Sequence, residues 1–174
     1  MNSPLQTQVK MLGFAAYSGT GKTTLLTQVI PLLVQSGLRV AVIKHSHHDF
    51  EIDKPGKDSY QLHHAGSSQT LITSKYRSAL ITENIPQQEL SVHQAMQRLD
   101  LTQTDLVLVE GFRDEPNLPC IVCHRSILNK PLLHQNDKKV IAIACDDALD
   151  SPLTQLDINN PQQVAEFIIN WINK

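Results

Sequence analysis

Ala16-Tyr17-Ser18-Gly19-Thr20-Gly21-Lys22-Thr23 decides how this chain folds. The eight residues spell a phosphate-binding loop, with Ala16 at the first position where glycine is usual. Leu12-Gly13-Phe14-Ala15-Ala16 precede them as a short apolar run. After them Leu25, Leu26, Val29, Ile30 and Leu33 recur on one helical face,. Strand, glycine-rich turn and helix are the context such a loop requires. Gly19 and Gly21 free backbone N–H groups to converge on a phosphate without Cβ obstruction. The N-terminus of the following helix adds a favourable dipole for the anion. Lys22 is placed to reach the β- and γ-phosphates and the Thr23 hydroxyl to ligate Mg²⁺, with Thr20 and Thr24 supplying further backbone N–H groups.

Further along, Arg39 to Lys44 reads as a second strand after a helix ending near Gly37, so strand, helix and strand form a parallel βαβ unit,. Pro31 falls inside that helix, and a kink is expected there. Asp105-Leu-Val-Leu-Val-Glu110-Gly111 is a buried strand ending in an acid and a glycine. Ligands bind beyond the carboxyl ends of strands in open α/β sheets, which makes Glu110 a candidate for the Mg²⁺ water shell or for orienting an attacking water. Asp105, at the other end of the strand, is about 17 Å away at strand rise. Cys120 to His124 and Lys139 to Cys145 read as further strands, Gln69 to Thr73 and Ser78 to Thr82 as short ones. Asp58 with Gln61, and Ser91 with Gln94, have capping-box spacing. Asn160-Pro161 opens a last helix whose face is Val164, Phe167, Ile168, Trp171 and Ile172,. The expected fold is a doubly wound P-loop α/β domain over residues 1–174. Its mostly parallel sheet is flanked by helices, with peripheral or antiparallel strands from 66–82 and 120–124 and a possible insertion around 45–82.

Composition limits the partners. The 174 residues carry a formal net charge of −2, with a pI near 6.4, which gives no reason to expect nucleic acid. No apolar run approaches the ~20 residues of a membrane span. Three cysteines, an odd number without a framework, fit a reducing cytoplasm,. Cys120 and Cys123 spell C-x-x-C, but on a strand their sulfurs face opposite sides and are expected to be structural.

Two features stay open on the residues alone. Lys44-His45-Ser-His47-His48-Asp49 and Lys54-Pro-Gly-Lys57 form a basic, histidine-rich segment. It reads as a metal site from His45, His47 and His48, as an anion-binding wall of the lysines and histidines, or as a solvated loop. Asp146, just beyond a late strand, reads either as an acceptor for guanine N1 and N2 or as a turn acid.

Four segments together resemble one family. They are Ala15-Ala-Tyr-Ser-Gly-Thr-Gly-Lys-Thr-Thr-Leu-Leu26, Ile43-Lys-His-Ser-His-His-Asp49, Asp53-Lys-Pro-Gly-Lys-Asp-Ser-Tyr60 with Ala65-Gly66, and Leu108-Val-Glu-Gly-Phe112. This pattern is similar to the molybdopterin-guanine dinucleotide biosynthesis protein B family. The resemblance implies a homodimeric GTP-binding protein with weak GTPase activity, accessory to the molybdenum cofactor guanylyltransferase that joins GMP to molybdopterin. By position, Gly19 to Thr24 then bind phosphate, Thr23 and Glu110 serve Mg²⁺, and the segment from Lys44 and His45 to Asp58 faces the γ-phosphate or the pterin phosphate. The rival readings are a small-molecule kinase, which needs an arginine-rich lid, and a GTP-delivery module that does not hydrolyse.

Overall fold

The computed structural model describes residues 9–46, 49–134 and 136–174. The described residues divide into two compact units, one within 9–45 and 92–174 and one within 46–91.

The larger unit is a six-stranded sheet. β1 (Lys10–Ala15) leads through the loop into α1 (Lys22–Gln35) and β2 (Val40–Lys44). The chain returns as α3 (Val92–Met96), β5 (Leu106–Glu110), β6 (Cys120–His124), β7 (Val140–Cys145), β8 (Gln155–Asp157) and α4 (Pro161–Ile172). The spatial order is β2-β5-β1-β6-β7-β8, and every pairing in it is parallel. Parallel strands bury both faces, and the residues follow suit. Leu12, Phe14, Leu106, Leu108, Ile121 and Cys123 pack under α1 and α4. Val107 and Val109 on the other face meet Val92 and Met96 of α3, while Ala15, Cys120 and Val122 meet Leu132, Leu133, Leu149 and Leu153.

The strand at 120–124 corrects an expectation. It is not peripheral: β6 lies inside the sheet between β1 and β7. Four of its five residues are buried, because Cys-Ile-Val-Cys presents an apolar group to each face in turn,. Cys120 and Cys123 do fall on opposite faces. Burial pushes their thiols up to about 11 and about 12, as expected of inert core cysteines,. The connection from β5 to β6 crosses over β1, and Gly13 makes room for it. A Cβ at position 13 would sit 2.9 Å from Leu118 Cδ2.

α1 runs unbroken through Pro31, which is exposed, so the backbone bond it removes lies on the solvent side,. Gly37, at φ 94°, ends the helix with its N–H donating to Val34 O and that of Leu38 donating to Leu33 O,.

The unit of residues 46–91 holds α2 (Asp58–His64) and an antiparallel hairpin of β3 (Gln69–Thr73) and β4 (Ser78–Thr82). Lys57, not Asp58, is the cap residue of α2 and makes no side-chain cap bond; Asp58 is the first helical residue. Here its charge complements the helix dipole instead of closing a capping box.

Candidate nucleotide site

After β1 the chain moves to one side of that strand, builds β2 and β5, then crosses to β6 on the other side. The carboxyl end of β1 is therefore the topological switch point of the sheet, where open α/β folds bind ligands. The loop from Ala16 to Gly21 sits there.

Its geometry suits an anion. Gly19 has φ 82° and Gly21 φ 89°, left-handed conformations that favour glycine,. Gly21 caps α1 without a side-chain bond, which leaves the first N–H groups of the helix for a ligand,. Ser18, Gly19, Thr23 and Thr24 are exposed. Thr20 is different. It is 2% exposed; its hydroxyl donates to Tyr17 O at 2.8 Å and its N–H to the same oxygen at 3.3 Å. Thr20 braces the inside of the turn.

The structure brings Lys22 and Glu110 together, a pairing that the sequence alone does not state. Lys22 Nζ lies 3.2 Å from Glu110 Oε1, and the side chains are 18% and 13% exposed. Lys22 opens α1 and Glu110 ends β5, so the pair stands at the carboxyl edge of the sheet and is only partly buried. Lys44 Nζ is 3.9 Å from the other carboxylate oxygen. One acid and two lysines thus converge beside the loop, because Lys44 and Glu110 are paired residues of neighbouring strands. His45 continues from Lys44: its N–H donates to Glu110 O at 2.8 Å, and its ring packs against Phe112 at 4.9 Å. Gly111 has φ 101°, and a Cβ there would come within 2.8 Å of His45 O.

Asp146 follows β7 and is half-buried. Its Oδ1 accepts from Ser126 N–H at 3.0 Å and Ser126 Oγ at 3.2 Å. The Ser126 N–H holds its carboxyl below the usual carboxylate range, with the serine hydroxyl and the Arg125 guanidinium adding to the effect,. Asp146 organises the turn after β6, and its Oδ2 lies 3.8 Å from Arg125 Nη1.

His47 and His48 lie outside the described residues. Among the described residues no three His, Cys, Asp or Glu side chains converge as a metal cage. Thr23 is exposed in the first turn of α1 and Glu110 ends β5, an oxygen-donor pair of the type that suits a hard cation beside phosphate,. Arg39, one of the arginines a kinase lid would need, is bound to Asp105 at the opposite end of β5.

Sequence reasoning missed Arg125. Its Nε donates to Thr20 O at 2.9 Å and its Nη2 to Asn159 Oδ1 at 2.9 Å. The available signal was its position directly after an apolar strand. Assigning that strand to the periphery hid it.

A family model described as molybdopterin guanine dinucleotide synthesis protein B matches residues 11–146. The chain is 43% identical over 169 residues to a molybdopterin-guanine dinucleotide biosynthesis adapter protein of Escherichia coli K12, covering 97% of each. It is 46% identical to the protein of that description from Haemophilus influenzae, over 97% of this chain and 93% of the relative. The crystal structure of a molybdopterin-guanine biosynthesis protein B aligns with a TM-score of 0.72 at 27% identity, over 92% of this chain and 99% of the other. A homologue from Bacillus stearothermophilus, at 17% identity, shares the fold with a TM-score of 0.66.

Proposed function

The chain belongs to the molybdopterin guanine dinucleotide synthesis protein B family, and from that premise we propose that it is a GTP-binding adapter for molybdopterin guanine dinucleotide biosynthesis. The observation that carries this reading is the uncapped α1 N-terminus between two left-handed glycines, with Lys22 and Glu110 3.2 Å apart beside it. Backbone N–H groups from Gly19 to Thr24 hold the phosphates, with Lys22 as their counter-charge. Thr23 and Glu110 hold Mg²⁺, which neutralises phosphate charge when bound. Glu110 is also the group placed to orient water for slow GTP hydrolysis. Lys44 and His45 flank the γ-phosphate side, and Asp146 accepts from the guanine edge.

The relatives' description as adapters supports a protein partner, which in this reading is the guanylyltransferase acting on molybdopterin. Among the described residues, 46–91 expose Phe50, Leu62, Leu71, Tyr76, Leu80 and Ile85. A two-stranded hairpin with so much exposed apolar surface favours contact with another chain, either the guanylyltransferase or a second copy in a homodimer. No helix among the described residues is long and apolar enough to cross a membrane. A reducing compartment such as the cytoplasm, where the cysteines stay reduced, fits this reading.

Calorimetry with GTP, GDP and ATP in the presence of Mg²⁺ tests the reading. GTP is expected to bind most tightly, and Lys22→Ala to weaken it by about 100-fold, the loss of charge-assisted hydrogen bonds to phosphate. Equal affinity for ATP would remove the guanine assignment, and an unaffected Lys22→Ala protein would remove the site. In single-turnover hydrolysis, an unchanged rate for Glu110→Ala would strip that residue of its water-orienting role.

A further inference from the structure

We propose that Arg125 is a positioning residue that sets the shape of the phosphate loop by gripping its backbone, and that Asn159 holds Arg125 in place to do so. The inference rests on the nucleotide-binding reading above. Thr20 lies between Gly19 and Gly21, both with positive φ and neither with a side chain to bias its conformation,. The direction of the loop's N–H groups therefore depends on what fixes the peptide units around Thr20. Three contacts do so. From within, the Thr20 hydroxyl and N–H both donate to Tyr17 O. From outside the loop, Arg125 Nε donates to Thr20 O at 2.9 Å across 105 residues of sequence. The guanidinium lies against the turn closely enough that a Cβ on Gly21 would meet Nε at 3.7 Å.

The fork of Arg125 is held at its far end. Nη2 donates to Asn159 Oδ1 at 2.9 Å, and Nη1 lies 3.8 Å from Asp146 Oδ2. Asn159 is fixed in turn, its N–H donating to Asp157 Oδ1 at 2.8 Å. Asp146 is fixed by Ser126. Arg125 thus joins the ends of β6, β7 and β8 to the loop after β1. A planar guanidinium with several donors suits this task, since one group reaches a carbonyl and a side chain at fixed angles. Asn159 reaches the loop through the Arg125 fork, so its influence on phosphate passes through Arg125.

That route makes a distinctive prediction. If Asn159 read the base, its removal would matter only for ligands that have one. Acting through Arg125, it matters for the phosphates alone. Inorganic tripolyphosphate with Mg²⁺ is the probe, measured by calorimetry beside GTP on the full chain. Arg125→Ala is expected to weaken tripolyphosphate on the order of tenfold, and Asn159→Ala severalfold. The double variant should be no weaker than Arg125→Ala, because the two residues act in series. Asn159→Asp, which keeps an acceptor for Nη2, should restore binding toward wild type. Thermal melts of each variant identify any that fail to fold, in which case Arg125→Lys, which keeps the charge without the fork, replaces Arg125→Ala. Additive losses overturn the inference, as does a loss from Asn159→Ala seen with GTP and absent with tripolyphosphate. If the wild-type chain bound neither ligand, the nucleotide reading itself would fall; tight wild-type binding with an indifferent Arg125 variant overturns only the positioning role.

Discussion

Asp105 and Glu110 are two acids on one strand with opposite fates. Asp105 accepts Arg39 Nε at 2.9 Å, Nη2 at 2.6 Å and the Arg39 N–H at 2.8 Å. These bonds, the side-chain ones foremost, hold its carboxyl down to about 2,. The pair ties the start of β5 to the start of β2, and partial exposure keeps its contribution modest,. An unfolded aspartate titrates near 3.9. Depressed in the folded state, Asp105 contributes stability above about pH 4 and loses it as pH falls through about 2. Asp105→Asn should therefore melt below wild type at pH 7, with the gap closing between about pH 4 and about pH 2. Melting curves followed by circular dichroism across that range check this, and a gap that stays constant would show the contribution is not ionic. GTP affinity should not change, since the acid lies at the far end of β5 from Glu110.

At the scale of elements, local signals fixed starts and stops well. Asn160-Pro161 opens α4: Asn160 Oδ1 accepts from Gln163 N–H at 3.1 Å, and Gln163 Oε1 accepts in return from Asp157 N–H at 2.7 Å,. Asn160→Ala should cost about 1 kcal/mol and lower the melting midpoint by about 2–4 °C. An unchanged midpoint in a thermal melt would mean that the packing of Val164 and Ile168 alone defines this terminus. The phosphate loop, β1 and β5 were legible for the same reason: each rests on a run of adjacent residues. What was not legible is order across the sheet. Cys120-Ile-Val-Cys123 shows that a strand exists, but only the crossing over Gly13, with Leu118 seated beneath it, shows that it lies beside β1. Arg125 and Asn159 became visible only with that order, because they come from strands that neither neighbour nor precede the loop in sequence. The broken hydrogen-bonding role of Asp58 is a smaller case, in which the capping-box spacing was present and the cap geometry was not.

At the scale of the molecule, an adapter governed by GTP must bind its partner differently in its GTP and GDP forms, since equal affinities shift nothing. The carboxyl end of β5 is where such a difference would enter. Glu110 faces Lys22 on its side-chain side, while its carbonyl accepts the N–H of His45, the last residue before the 46–91 unit begins. Gly111 lets the two backbones meet this closely: at φ 101°, an added Cβ would press on His45 O at 2.8 Å and His45 Cβ at 2.9 Å,. A rearrangement of Glu110 on losing the γ-phosphate would therefore be felt at His45 without any other connection. On this GTP-gated reading, affinity for the guanylyltransferase is expected to differ at least tenfold between the GTP and GDP forms, about 1.4 kcal/mol of coupling. Gly111→Ala, at saturating nucleotide, should shrink that ratio toward one by forcing β2 and β5 apart at their ends. Surface-plasmon measurements of the partner against each nucleotide form decide the matter. Equal affinities in the wild-type protein would falsify gating altogether, and an undiminished ratio in Gly111→Ala would move the coupling away from the Glu110–His45 contact.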